Sequence, residues 1–182
     1  MHGHKITNQN AMHFLTSTTV GWIDIFTRQR YRDIILESLS YCQKAKGLIL
    51  HAYIIMTNHL HLIARAEEQA RLSDILRDFK KFTANQIIKS IQKDPESRRD
   101  WLLRVMADHA RFNKNNTRFQ LWQQDNHPKE LYSPAFTAQK LNYLHLNAVR
   151  AGWVERPEQY LYSSASNYVL GRGLLEVVLL EL

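Results

Sequence analysis

The chain has almost no cysteine. Of its 182 residues only Cys42 is one, which excludes an intramolecular disulfide and a zinc site of clustered thiolates but leaves the compartment open. Long apolar runs are missing too. Nothing approaches the ~20 consecutive apolar residues that a membrane-crossing helix needs, and the start lacks a secretory signal pattern, so a cytoplasmic protein with no membrane partner is expected. Internal repeats and low-complexity tracts are absent as well. What is abundant is positive charge. A formal charge of +7 and a pI near 9.6 favour a polyanionic partner, nucleic acid first among them.

The length suits one domain over 1–182, with residues 97–117 as a helical insertion. Residues 1–11 read as a loose start, in which His2 and His4 could bind metal only weakly, and 13–20 as a first strand rich in β-branched and aromatic residues. A helix capped by Thr27 follows, its apolar face made of Tyr31, Ile34, Ile35, Leu36, Leu39 and Cys42, and Gly47 stops it. Residues 48–56 and 59–65 then alternate as two strands joined by Thr57-Asn58, an antiparallel hairpin. A second helix is predicted over 72–91, with Arg77, Lys80, Lys81, Lys89 and Lys93 off its apolar face, a solvated face or a nucleic-acid contact. The insertion carries Arg98, Arg99, Arg104, Arg111 and, just beyond it, Arg118, interleaved with Trp101 and Phe112. These can clamp phosphates and stack bases if the rings are exposed, and are core if they are not. Residues 113–116 read as a turn, 119–123 as a fourth strand, and 137–151 as a final helix closed by Gly152.

Within the hairpin, His59 and His61 are separated by one apolar residue. Side chains at i and i+2 of a strand share a face, so the two imidazoles stand roughly 6.6 Å apart along it while Leu60 turns to the core. Alone they are equally a half-buried surface pair or an incomplete metal site. The final helix brings Tyr143, Asn147 and Arg150 to one stripe at i, i+4 and i+7. Two imidazoles and an amide leave open positions and suit Mg²⁺ or Mn²⁺, whereas zinc asks for thiolate or a third histidine. Tyr143 is placed to attack phosphorus if its helix packs across the histidine strand. A free phenol is only about one part in a thousand ionised at neutral pH, a handicap of roughly 4 kcal/mol that a metal and nearby cations must offset. Attack by tyrosine conserves the phosphodiester energy, so breakage with rejoining fits better than hydrolysis. Taken singly, Tyr143 reads as a packed helix tyrosine; the joint occurrence is what points to chemistry.

The string His51-Ala-Tyr-Ile-Ile-Met-Thr-Asn-His59-Leu-His61-Leu-Ile, followed by Tyr143-Leu-His-Leu-Asn147-Ala-Val-Arg150-Ala-Gly-Trp-Val-Glu-Arg-Pro-Glu, resembles the single-tyrosine HUH transposases, most closely their REP-associated branch. The resemblance implies an α+β ferredoxin-like antiparallel sheet with helices packed on one face. It implies a homodimer acting on hairpin-bearing single-stranded DNA, and a 5′-phosphotyrosine intermediate with a free 3′-hydroxyl. Tyr143 would be the nucleophile, His59, His61 and Asn147 the metal ligands, and the protein would sit on the nucleoid when bound to DNA. Arg65, Lys80, Lys81, Arg111, Arg118 and Arg150 are the expected DNA contacts. Thr57 and Ala148 stand where relatives often carry proline, and Ala148 predicts a more regular final helix. The segment Trp122-Gln-Gln-Asp-Asn-His127-Pro also resembles one in this branch, without an assignable role. Other readings are a hairpin-binding regulator with idle chemistry, an HUH replication or conjugation nickase, for whose usual extra domains the chain has no room, and an RNA-binding ferredoxin-like domain.

Overall fold

The computed structural model describes residues 5–112 and 118–181. Four strands form one antiparallel sheet in the order β2-β3-β1-β4, with β1 at His13–Thr18, β2 at Leu48–Ile55, β3 at His59–Ala66 and β4 at Lys129–Glu130. This is the expected ferredoxin-like α+β sheet. Helices α1 (Gln29–Ala45) and α2 (Leu72–Lys93) cover one face, where Leu39, Ile75 and Phe79 meet Leu15, Leu50, Leu60 and Leu62. Helix α3 (Arg99–Ala110) extends that layer through Leu102 and Met106. The helices are not confined to one face as expected: α4 (Pro134–His145) and α5 (Asn147–Arg150) cover the other, where Leu144 and Ala148 pack on Phe14, Ile54 and Ile63, the apolar side chains that strand alternation sends there. A last short helix, α6, spans Ala165–Leu170. Among the described residues no helix is long and apolar enough to cross a membrane.

The hairpin forms as its sequence predicts. The Met56 N–H donates to the His59 carbonyl at 2.8 Å, closing the turn over Thr57-Asn58. Alternation along β3 then sends Leu60, Leu62 and Ala64 to the α1/α2 side and His59, His61 and Ile63 to the other. Facing β2 changes sides once, because His51 is a bulge between the Leu50–Ala64 and Ala52–Ile63 pairs. Even-numbered Leu48 and Leu50 therefore share the α1/α2 core with odd-numbered Tyr53 and Ile55.

Several expected boundaries move. Strand β1 stops at Thr18, since residues 20–22 turn away in a short 3₁₀ segment. Helix α1 starts at Gln29, and Thr27 turns its hydroxyl to the Asp24 carbonyl at 2.9 Å rather than capping the helix. Residues 119–123 are not the fourth strand. Their apolar side chains report burial: Trp122 packs between Phe26 and Phe79 and its indole N–H donates to Thr83 at 3.0 Å. Only one isolated bridge, Thr19 to Trp122, forms there, and the true edge strand is the short β4 beyond Pro128. The final helix begins earlier than 137, because Ser133 caps it through the Phe136 N–H and Pro134 fills its first turn. It is also less regular than Ala148 suggests. Leu146 (ψ −2°) separates α4 from α5, and the Asn147 side-chain amide takes the Tyr143 carbonyl at 3.3 Å. Within the expected insertion α3 is observed; the turn expected at 113–116 and the histidines at 2 and 4 lie outside the described residues.

Candidate active site

The sheet register builds the site from paired strands. Thr18 lies opposite His59 and Thr16 opposite His61, so two hydroxyls and two imidazoles share the face that α4 covers. The histidine rings are 4.8 Å apart between centroids. Each Nδ1 is engaged: that of His61 with the Thr16 hydroxyl at 2.9 Å, and that of His59 with the Asn58 Oδ1 at 2.7 Å. The Asn58 amide nitrogen donates to the Trp22 carbonyl at 3.3 Å, which fixes its oxygen toward His59. His59 Nδ1 is therefore the protonated nitrogen, and its Nε2 keeps a lone pair. Burial lowers the pKa of both rings; for His61 burial first, then His59 and Lys140, bring it down to about 3. Both are neutral imidazoles at pH 7, the form that binds a metal.

Tyr143 comes to this pair from α4, the layer that covers the same sheet face. Its ring centroid is 5.7 Å from that of His61 and 5.9 Å from that of Phe14, each edge-on, and the residue is 40% exposed. Cations flank the phenol. The Lys140 Nζ lies 5.6 Å and the Arg150 guanidinium 5.2 Å from its ring centroid. Burial, with Lys129 as a second cause, holds the Lys140 ammonium below its usual pKa. His61, Tyr143, Lys129 and Lys140 line one cavity of about 310 Å³ together with Trp22 and His127.

The other residues singled out in the sequence are placed as follows. Asn147 neighbours Tyr143 through its carbonyl. Arg150 is at the site, whereas Arg65 sits at the far end of β3, opposite Ile49. There it adds to burial, the larger cause, in lowering the pKa of His51. Lys80 is a tether: its ammonium donates to the Gln123 carbonyl at 2.8 Å, and burial pulls its pKa down to about 8 against the Asp125 charge. Lys81 lines a separate groove with Tyr41 and Phe82. Arg111 pairs with Asp108 at 3.5 Å and Arg118 lies over the Phe119 ring. Arg98 and Arg99 are bound within the fold, to Asp24 at 2.6 Å and to the Ile91 carbonyl at 2.8 Å. Among the described residues no group of three or more His, Cys, Asp or Glu gathers.

Sequence reasoning missed Thr16, Trp22, Asn58, Lys129 and Lys140 as members of the site. Lys140 had a readable signal, since it precedes Tyr143 by three residues on the same helix. Thr16 and Lys129 had none, because only the pairing of β1 with β3 and β4 brings them in.

A ferredoxin-like sheet carrying a histidine pair under a helix-borne tyrosine defines an α+β protein with a solvent-open polar site on the sheet face. The family model described as transposase IS200-like matches residues 11–102, and the chain belongs to that family of transposases. The match takes in the histidine hairpin and ends before α4. A solved REP-associated tyrosine transposase bound to a REP hairpin has the same fold, with a TM-score of 0.66, 15% identity, and 97% of this chain and 88% of that one covered. A candidate transposase from Deinococcus radiodurans R1 aligns at a TM-score of 0.46 and 16% identity over 79% of this chain and 95% of that one, which adds nothing to the fold assignment. No curated protein matches the chain.

Proposed function

We propose that the chain is a single HUH-type domain that cleaves and rejoins single-stranded DNA beside hairpins, with Tyr143 as nucleophile. The observation that carries this reading is the Tyr143 ring edge-on to His61, 5.7 Å between centroids, in a cavity that Lys129 and Lys140 make cationic. The solved relative's REP hairpin supports hairpin DNA as the partner class.

In this reading the histidine pair helps to hold a divalent ion, Mg²⁺ or Mn²⁺. His59 Nε2 has a lone pair, both rings are held neutral, and Thr16 and Asn58 orient them. Asn147 is the third ligand in this reading. A divalent ion there would supply positive charge to polarise the scissile phosphodiester. The chain's own groups do the rest. Lys140, Lys129 and Arg150 attract the phosphate and hold it against Tyr143. The Tyr143 Oη–phosphorus bond forms as the bond from phosphorus to the 3′ oxygen breaks. The phenolic proton leaves to solvent, and the 3′ oxygen takes up a proton to become a hydroxyl. The phosphotyrosine link retains the bond energy, so a 3′-hydroxyl reverses the step without ATP. A homodimer working on the nucleoid belongs to the same reading, and light scattering of the free protein tests the dimer.

The test is incubation with labelled single-stranded DNA carrying the hairpins beside its own gene, in Mn²⁺ or in EDTA, followed by a denaturing gel. A covalent band that needs metal and vanishes in Tyr143→Phe is expected. Tight hairpin binding with neither band nor cleaved strand would make the protein a regulator instead.

A further inference from the structure

Trp22 is 63% exposed at the rim of the cavity that Tyr143 and His61 line. Its backbone is unusual as well: φ is +53° at Trp22, directly after +58° at Gly21. A bulky residue rarely adopts the left-handed region, and such conformations persist only where the surroundings impose them. Here they do. The Val20 N–H donates to the Leu121 carbonyl at 2.8 Å, Thr19 Oγ1 to the Ile23 carbonyl at 2.9 Å, and Asn58 Nδ2 to the Trp22 carbonyl at 3.3 Å. On the other side Gly21 presses on α3, where a Cβ would come within 2.9 Å of Val105. Helix α3 thus props the turn that holds an indole out in water.

We propose that Trp22 is a stacking platform for one unpaired nucleobase of single-stranded DNA, in the same cavity as the phosphate that Tyr143 attacks. The proposal rests on the reading of Tyr143 as the nucleophile. Every base has a π-face, so an exposed indole binds one without regard to sequence, and adjoining cations receive the backbone. That combination is present: the same cavity holds Lys129 and Lys140, and the chain carries a formal charge of +7. Its volume of about 310 Å³ lies at the small end of the range for ligand sites. Asn58 couples platform to chemistry, because one side chain holds both the Trp22 carbonyl and the His59 imidazole. A base seated on Trp22 is therefore held in fixed relation to the histidine pair.

The experiment uses Tyr143→Phe protein, so that DNA stays intact, and fluorescein-labelled oligonucleotides carrying the hairpin beside the gene with single-stranded flanks. Each oligonucleotide has one abasic residue, walked along the flanks. One flank position is expected to weaken binding by about 5- to 150-fold when its base is removed. Adding Trp22→Ala should weaken binding of the intact oligonucleotide similarly and erase the dependence at that position alone. Trp22→Phe should retain part of both effects, and it keeps the test valid if the alanine variant fails to fold by circular dichroism. Binding by both variants that matches the parent, an unchanged abasic profile, or no binding of these oligonucleotides by the parent would overturn the platform. A gel with Tyr143 intact separates the two ideas. Coupling without a covalent band removes Tyr143 as nucleophile and keeps the platform, whereas a band without coupling removes the platform alone.

Discussion

Asn58 is the residue whose two halves do separable work. Its Oδ1 accepts the His59 Nδ1 proton at 2.7 Å and its Nδ2 donates to the Trp22 carbonyl at 3.3 Å. Asn58→Ala deletes both bonds, each worth about 0.5–1.5 kcal/mol, and releases the His59 ring to rotate or change tautomer. Loss of a partner behind a metal-ligating histidine typically costs about 10- to 100-fold in affinity. Calorimetric titration with Mn²⁺ should therefore show a dissociation constant raised by about that factor. Asn58→Asp keeps an acceptor for His59, now charged, and loses the donor to Trp22. Its Mn²⁺ affinity should equal or exceed the parent's, while its affinity for single-stranded DNA falls with the loosened Trp22 turn. Parent-like Mn²⁺ binding by Asn58→Ala, or an equal loss in Asn58→Asp, would refute the assignment of His59 as an oriented ligand.

Stability of the metal-free protein should fall with acidification. His61 has a folded pKa of about 3, well below that of the unfolded chain, so the unfolded state binds the extra proton. Its contribution is present above the unfolded value of about 6.5 and is lost as pH falls toward 3, amounting to roughly 2 kcal/mol by pH 5. His59 and His145, lowered in the same direction, add to it. Urea unfolding in EDTA at pH 7 and pH 5 measures the slope, which His61→Gln should flatten; equal stability at the two pH values would contradict it. Lys80→Met should cost about 1–3 kcal/mol by stranding the Gln123 carbonyl, yet leave the salt dependence of DNA binding unchanged. A salt slope reduced by about one would instead make Lys80 a phosphate contact. Gly21→Ala should lose at least about 1 kcal/mol in thermal or urea unfolding, since it combines a positive φ with a Cβ at 2.9 Å from Val105; an unchanged midpoint would mean that the turn is not held as described.

The hairpin and the two helices behind it were legible because their apolar periods are set by a single core. The face carrying His59 and His61 follows from alternation alone, and the β3–β2 pairing reproduces it. What could not be read is what long-range pairing decides. Residues 119–123 have the composition of a strand, but Trp122 spends its burial between Phe26 and Phe79, and the edge falls to the nearly featureless Lys129–Glu130. Lys80 has the look of a DNA contact on a basic helix, and only the fold shows its ammonium turned to backbone carbonyls. Thr16 becomes a partner of His61 through a strand register across 45 residues of chain. The break at Leu146 was hidden too, beside the Asn147 side-chain amide that donates to the Tyr143 carbonyl at 3.3 Å.

The central claim is that Tyr143, and no other group, takes the DNA. Mass spectrometry of the tryptic peptide spanning 141–150, after reaction with hairpin-bearing single-stranded DNA in Mn²⁺ and nuclease trimming, tests it most directly. The account predicts that this peptide carries a nucleotide through a 5′-phosphate on Tyr143, and that the adduct disappears when a 3′-hydroxyl strand is added in excess to drive rejoining. A nucleotide on another residue, such as the exposed Tyr132, or cleaved strands with no adduct at all, would contradict it.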